Sequence, residues 1–356
     1  MGVRDLMPLE LLRELVELES PTGDTASIRD RLAAELEGLG AEVTQEGEHL
    51  RADLPGAGPP LLLLGHFDTV WPRGTLASMP WRVEDGRAYG PGAQDMKGGL
   101  VVMLEAIRRA RTEHALRVAL TADEEIGSPT AHDLLARAAE GAAAAFVCEP
   151  PTGRGDLKTA RKGLGRFRLS IAGHAAHAAQ PNDGVSAIQE LALQILRLHG
   201  LNDPERGVSV NVGVVAGGTR ENVIAANAEA LVDVRVVSAE DCARLDELLS
   251  AGAELPGATV ELSGGWTRPP LERSSGAAAL FERARAHGRE LGLDLHEAGV
   301  VAGGSDGNLV GALGVPVLDG LGAQGGGAHA VNEHVLVDSL ERRADLLARI
   351  LRTPGV

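Results

Sequence analysis

Glu124 and Glu125 stand side by side in the stretch TADEEIGSPT, directly after the largely apolar run ALRVAL. Two like charges at the point where a strand surfaces repel each other, unless a cation is bound there or the two do different work. Neighbouring residues leaving a strand point in different directions. One carboxylate can then ligate a cation while the other reaches a water on that cation. Metal-assisted hydrolysis needs this division, because the cation lowers the pKa of the water and a nearby carboxylate carries its proton. DEE alone also reads as an acidic solvated turn, but an apolar strand in front and Ile-Gly-Ser behind set it apart.

Other polar groups of the right type lie at similar places. GHFDTV puts His66 and Asp68 two residues apart at a strand terminus, so both share a face. The imidazole can ligate while the carboxylate fixes its tautomer. GPGAQDMKGGL offers Asp95 among glycines just before a helix, as a ligand or as a simple helix cap. AAAAFVCEP ends in Glu149, and GGGAHAVNEHV presents His329 from a Gly-rich loop. Carboxylates mixed with imidazoles favour zinc, or cobalt and manganese, over calcium or copper. Three carboxylates and one bridging hydroxide would offset two divalent cations, so a two-metal site would be close to neutral.

Positioning such groups requires strands that end together. PPLLLLGHFDTV reads as a fully buried strand with a polar tip, and strands near 42–45, 49–54, 115–121 and 143–148 accompany it. Helices are expected over 9–18, 25–39, 97–111 and 130–138. Their alternation predicts an α/β catalytic domain, a mostly parallel sheet flanked by helices, with ligands beyond the carboxyl ends of the strands. From about Gly163 the texture changes: strands at GRFRLSIAGHAAHA, VSVNVGVVAGG, AEALVDVRVV and 258–262 surround helices at 185–199 and 239–251. This suits an inserted α+β sandwich, giving domains 1–162, 163–269 and 270–356, the last resuming the first with helices at 276–291 and 336–351 and a strand at 315–318.

Composition excludes several function classes. Acids outnumber bases 50 to 34, for a formal charge of −16, so a phosphate backbone is not a partner. No apolar run is long enough to span a bilayer, and the N-terminus lacks the apolar core of a secretory signal, so a cytoplasmic location is expected. The two cysteines, Cys148 and Cys242, lie far apart, which argues against a disulfide framework or a thiolate metal site. Cys148 reads as core. His49, His114, His132, His199, His287 and His296 have no matching partners in the sequence and read as surface or packing residues. A dinucleotide-binding oxidoreductase would need a GxGxxG spacing that GPGAQDMKGG lacks.

The ordered set GHFDTV, GPGAQDMKGG, TADEEIGS, CEP, GHAAHAAQP, GGTRENVI and GGGAH resembles the zinc aminoacylase/carboxypeptidase metallopeptidase family over residues 60–335. That family includes acetylornithine deacetylase, succinyl-diaminopimelate desuccinylase and the bacterial carboxypeptidase G group. The resemblance implies two zinc ions per subunit, replaceable by cobalt or manganese, with Asp95 bridging them. His66 and Glu149 would complete one site, and Glu125 and His329 the other. Asp68 would orient His66, Glu124 would be the general base, and the Asp95–Met96 peptide would be cis. The insertion would be a lid and dimerisation domain making a homodimer. Its His177 would reach a partner subunit's active site and stabilise the oxyanion, His174 being the less favoured choice. Arg268 and Asn222 resemble substrate-carboxylate positions, and Lys162 in RKGLGRF resembles the glutamate-carboxypeptidase branch. GGSDGN at 303–308 would offer backbone N–H groups to substrate or start a helix, and Glu333 would support the site from behind. The implied reaction is release of a C-terminal amino acid, glutamate first, from an N-acyl or peptidyl substrate. An N-acyl amino acid deacetylase, a dipeptidase, or a non-catalytic binding protein on the same fold are the alternatives.

Overall fold

The computed structural model describes residues 7–354. The chain divides into two compact units, one running to Ala160 and resuming over Glu272–Val301 and from Ser305, the other comprising Arg161–Leu271 with Ala302–Gly304. The first unit opens with helices α1 (Pro8–Glu17) and α2 (Ala26–Gly38) and strands β1 (Glu42–Glu46), β2 (His49–Leu54) and β3 (Ala57–His66). The hairpin β4 (Arg82–Glu84) and β5 (Arg87–Tyr89), helix α3 (Gly98–Ala110), β6 (His114–Thr121), α4 (His132–Ala139) and β7 (Ala144–Val147) follow. The second unit holds β8 (Gly163–Ala172), α5 (Ala187–His199), β9 (Ser209–Gly217), β10 (Asn227–Val236), α6 (Ala239–Leu249) and β11 (Thr259–Arg268). The chain returns to the first unit with α7 (Ser275–Glu290), α8 (Asp306–Ala312), β12 (Val317–Leu318), β13 (Gly325–Gly326), β14 (His334–Leu336) and α9 (Val337–Arg352).

The main sheet of the first unit has the order β1-β2-β6-β3-β7-β12. β6, β3, β7 and β12 run parallel, while β2 and then β1 join at one edge, each through an antiparallel pairing. This is the mostly parallel sheet that the sequence predicts. Alternation along β3 sends Leu61 and Leu63 into the cluster formed by α1, α3 and α9, with Leu12, Leu15, Leu104 and Leu347. Leu62 and Leu64, equally buried, face the other way, where α4 and α8 pack on the same strands. A strand covered on both faces must be apolar throughout, and LLLL is.

The second unit is a four-stranded antiparallel sheet, order β11-β8-β10-β9, with α5 and α6 packed over a core of Leu169, Ile171, Ala230, Val232 and Leu245. Both helices start on a serine, Ser186 and Ser238, whose hydroxyl accepts an N–H of the first turn. The expected α+β insertion is thus present, but β11 continues past Leu262 to Arg268 through Gly264, whose left-handed backbone (φ 94°) hides the strand pattern. Among the described residues no helix is long and apolar enough to cross a membrane.

A third sheet, β13-β14-β5-β4, was not foreseen. Its strands are two or three residues long, too short for a periodic signal. It lies in the first unit and frames the loops that carry Asp95 and His329.

Candidate metal centre

The parallel strands β6, β3 and β7 end together, with Thr121 opposite His66 and Val147 opposite Leu64. Their carboxyl ends deliver His66, the Glu124–Glu125 pair and Glu149 to one edge of the sheet. His66 is the last residue of β3, and the two glutamates open a single 3-10 turn, Glu124–Ile126. Asp95 arrives from the turn Ala93–Lys97 after β5, and the Asp95–Met96 peptide is cis, as the resemblance implies. His329 comes from the loop between β13 and β14 in a left-handed conformation (φ 61°). Such a conformation is strained for a residue with a Cβ, and strain of this kind clusters at functional sites.

The five side chains expected to hold metal converge. His66 Nε2 lies 3.2 Å from Asp95 Oδ1 and 3.5 Å from Glu149 Oε1. His329 Nε2 lies 3.3 Å from Asp95 Oδ2 and 3.3 Å from Glu125 Oε2. Asp95 therefore turns one oxygen to each imidazole, and two triads share it. Donor atoms of His66, Asp95 and Glu125 also lie within 4.8 Å of one another, as do those of His66, Glu124 and Glu149. The shortest contacts separate the two triads, and the wider set brings Glu124 close to His66 and Glu149.

The donor chemistry fits a cation. His66 Nδ1 donates to the backbone carbonyl of Asp68 at 3.0 Å, with Asp68 Oδ1 at 3.3 Å, which leaves the Nε2 lone pair for the site. That lone pair faces carboxylate oxygens, and acceptors face each other stably only across something positive. Glu125 Oε1 is buried and has no hydrogen-bond partner, a costly state that a cation relieves. Without a cation, protons take its place. Burial works against a charged His66, but Asp68, Asp95 and Glu149 outweigh it and hold its pKa well above the usual value. His329 is raised to about 10 by Asp95 and Glu125. Burial alone would raise Asp95, yet the two imidazoles pull its carboxyl below the usual range, while burial leaves Glu125 raised. His329 is half exposed, so the centre opens to solvent on that side, as a catalytic metal site must.

Supporting groups fix these ligands. Asp68 is fully buried, and its carboxylate accepts the N–H of Glu124 at 3.1 Å, the N–H of Glu125 at 3.2 Å and the hydroxyl of Thr22 at 2.7 Å. It thus holds the glutamate turn as well as His66. Glu333 accepts N–H groups from Gly92 (2.9 Å), Gln94 (2.9 Å) and Asp95 (3.0 Å), and the indole N–H of Trp71 (2.8 Å). Gln94 Oε1 in turn accepts the N–H of Ala328, tying the Asp95 loop to the His329 loop. His49 is a packing residue with partners of its own: it is buried, its Nδ1 accepts the N–H of Ala122, and its Nε2 meets Thr130 under the glutamate turn. Nothing in its sequence neighbourhood signals that role. Cys148 is core, as expected, its thiol buried and far from ionising.

In the second unit the predicted residues separate into two groups. The segments of His177 and Asn222 pair, Ala178 N–H donating to the Asn222 carbonyl and Ile224 N–H to that of Ala176. They lie beyond the carboxyl end of β8, and His177 and His174 are exposed. Lys162 and Arg268 lie at the other end, where Arg268 pairs with Leu164. A ten-residue strand separates the ends, about 30 Å. Lys162 Nζ donates to the carbonyl of Gly207 at 2.6 Å, which anchors a turn. Arg268 is buried, with its Cδ close against Gly304. Ser305, in GGSDGN, caps α8, so that segment does start a helix.

Known proteins are similar to this chain in sequence and in fold. Carboxypeptidase G2 of Pseudomonas sp. (strain RS-16) is 33% identical over 371 aligned positions, covering 98% of this chain and 89% of the relative. Succinyl-diaminopimelate desuccinylase of Azoarcus sp. (strain BH72) is 30% identical over 99% of both chains. The crystal structure of aminopeptidase PepT from Bacillus cereus ATCC 10987 has the same fold, with a TM-score of 0.83 at 24% identity over 98% of each chain. The model of peptidase family M20/M25/M40 matches residues 62–353, and with these relatives it places the chain in that family, as a hydrolase of the metallopeptidase class.

Proposed function

We propose that this chain is a two-zinc amide hydrolase that releases a C-terminal amino acid, glutamate by preference, from N-acyl or peptidyl substrates. The observation that best supports the reading is Asp95, whose two oxygens each face a different imidazole. His66, Asp95 and Glu149 would hold one ion, and Asp95, Glu125 and His329 the other. Bound there, divalent cations supply Lewis acidity, lowering the pKa of a water and polarising the scissile carbonyl. Glu124 takes a proton from the attacking water and returns it to the leaving nitrogen, so that amide and water become carboxylate and amine. Asp68 keeps His66 in the tautomer that presents Nε2. Arg268 binds the carboxylate beside the scissile amide, a task its planar donors suit. His177 and Asn222, about a strand's length (~30 Å) from Arg268, serve the centre of a partner subunit in a homodimer built through the second unit.

The alternative, an N-acyl amino acid deacylase, draws on the likeness to the desuccinylases. A hydrolysis panel on zinc-loaded protein decides between them: N-acyl glutamates, glutamyl dipeptides, acetylornithine and succinylated diamino acids. We expect kcat/KM for glutamate release to exceed the others at least tenfold. A preference for acetyl or succinyl removal from a basic amino acid would overturn the carboxypeptidase assignment and leave the amide hydrolase.

A further inference from the structure

Next to the turn of Glu124 and Glu125 lies a carboxylate that the proposed chemistry does not use. Asp306 is the first residue of α8 and is buried. Its Oδ2 accepts the hydroxyl of Thr121 at 2.6 Å, and its Oδ1 accepts that of Ser128. Thr121 ends β6 opposite His66, and Ser128 closes the turn, so the two contacts bracket residues 122–127. Both hydroxyls belong to residues with no solvent exposure, so a lost acceptor could not be replaced cheaply.

The turn needs such a clamp. Ser128 has a left-handed backbone (φ 56°), which is unfavourable for a residue with a Cβ. Within the turn, the Asp123 carbonyl accepts the Ser128 N–H at 2.8 Å, and the Asp123 carboxylate holds Thr130 through its N–H and hydroxyl. Asp68 takes the N–H groups of Glu124 and Glu125 themselves. Asp306 supplies what those contacts do not, a fixed distance between the two flanks. α8 is already capped by Ser305, so a neutral asparagine at its first position would serve the helix equally well. A carboxylate accepting two hydroxyls makes shorter and stiffer bonds, at the cost of placing another negative charge near an acidic centre.

We propose that Asp306 is a positioning residue for hydrolysis: by holding Thr121 and Ser128 it sets the turn so that Glu124 reaches the attacking water while Glu125 faces His329. This rests on reading Glu124 as the base. Displacing a catalytic group by about 1 Å can cost about a hundredfold in rate. The test uses zinc-loaded Asp306→Ala, Asp306→Asn, Glu124→Gln and the Asp306→Ala/Glu124→Gln double variant, measuring kcat, KM, bound metal and thermal melting. Asp306→Ala is expected to lose about a hundredfold in kcat and Asp306→Asn about tenfold, with KM and metal content within about twofold of the parent. In the Glu124→Gln background, assayed at high enzyme concentration, removing Asp306 should cost less than about threefold, because the group it positions is gone. Full kcat in folded Asp306→Ala, a loss carried by KM or metal content, or an equal loss without Glu124 would each overturn the proposal. Should Asp306→Ala not fold, Thr121→Val with Ser128→Ala removes the same contacts and is judged by the same criteria. Full kcat in Glu124→Gln would instead overturn the base assignment itself, and this proposal with it.

Discussion

Glu333 does more for the centre than its position four residues after His329 suggests. Its two oxygens collect three backbone N–H groups and one indole N–H, and the Asp95 amide is among them. Burial raises its pKa, and the hydrogen bonds from Asp95, Trp71 and Gly92 act against that rise. Glu333→Gln replaces one oxygen by an NH2 that points at N–H donors. We expect metal content or zinc affinity to fall about 10- to 100-fold, with kcat following the metal. Metal analysis of the purified variant checks this, and full occupancy with unchanged zinc affinity would show that the Asp95 turn holds itself. At this scale the five converging side chains were legible in the sequence because carboxylates and imidazoles stood at strand ends or in Gly-rich turns. The supports were not. His49, Gln94 and Asp306 act through contacts across 70 or more residues, made by side chains whose types are common everywhere.

Among the elements, those with a long apolar period were readable and the short ones were not. β3 announces itself by LLLL, and α3, α5 and α9 by their stripes. β13 and β14 have two and three residues, yet they frame the loop of His329. Gly99 shows how closely the elements approach at the site: a Cβ there would meet the Cys148 carbonyl at 1.9 Å, one residue before Glu149. The second unit carries its own pH-dependent tie. Glu190 of α5 accepts from the Gln194 side chain (2.7 Å) and from the N–H groups of Glu254 (3.0 Å) and Leu255 (2.7 Å). Burial would raise its pKa, but these bonds outweigh burial and hold it below the usual 4.5. A depressed folded pKa contributes stability that is full above the unfolded value and lost as pH falls through the folded one. Glu190→Gln should therefore cost about 1–2 kcal/mol at neutral pH and flatten the loss of stability below about pH 4.5. Melting curves from pH 3 to 7 test this; parallel curves for parent and variant would remove Glu190 from the acid response.

For the molecule as a whole, 50 acids and 34 bases are not spread evenly in consequence. Asp95, Glu124, Glu125 and Glu149 crowd one end of a sheet, and their repulsion calls for positive charge among them, from bound cations or, without them, from protonated imidazoles. Removing metal with a chelator should abolish hydrolysis and lower the melting temperature by several degrees, since a ligand bound only by the folded state stabilises it by mass action. Two equivalents of zinc per chain should restore both. Restoration by a single equivalent would mean that the second triad is not a catalytic site.

The hydrogen bonds of Glu333 and Gln94 have one more consequence. Asp95 lies in the first third of the chain, while the groups that hold its turn, with His329 itself, come more than 230 residues later. During synthesis, most of the protein has left the ribosome before Glu333 exists. A chain cut short before Gly325 would keep His66, Glu125 and Glu149 and lose both the second imidazole and the carboxylate that gathers the Asp95 turn. Such a fragment is expected to hold metal only loosely, which metal analysis of the truncated chain would check. Docking of the segment from Gly325 onward would then be the condition for activity.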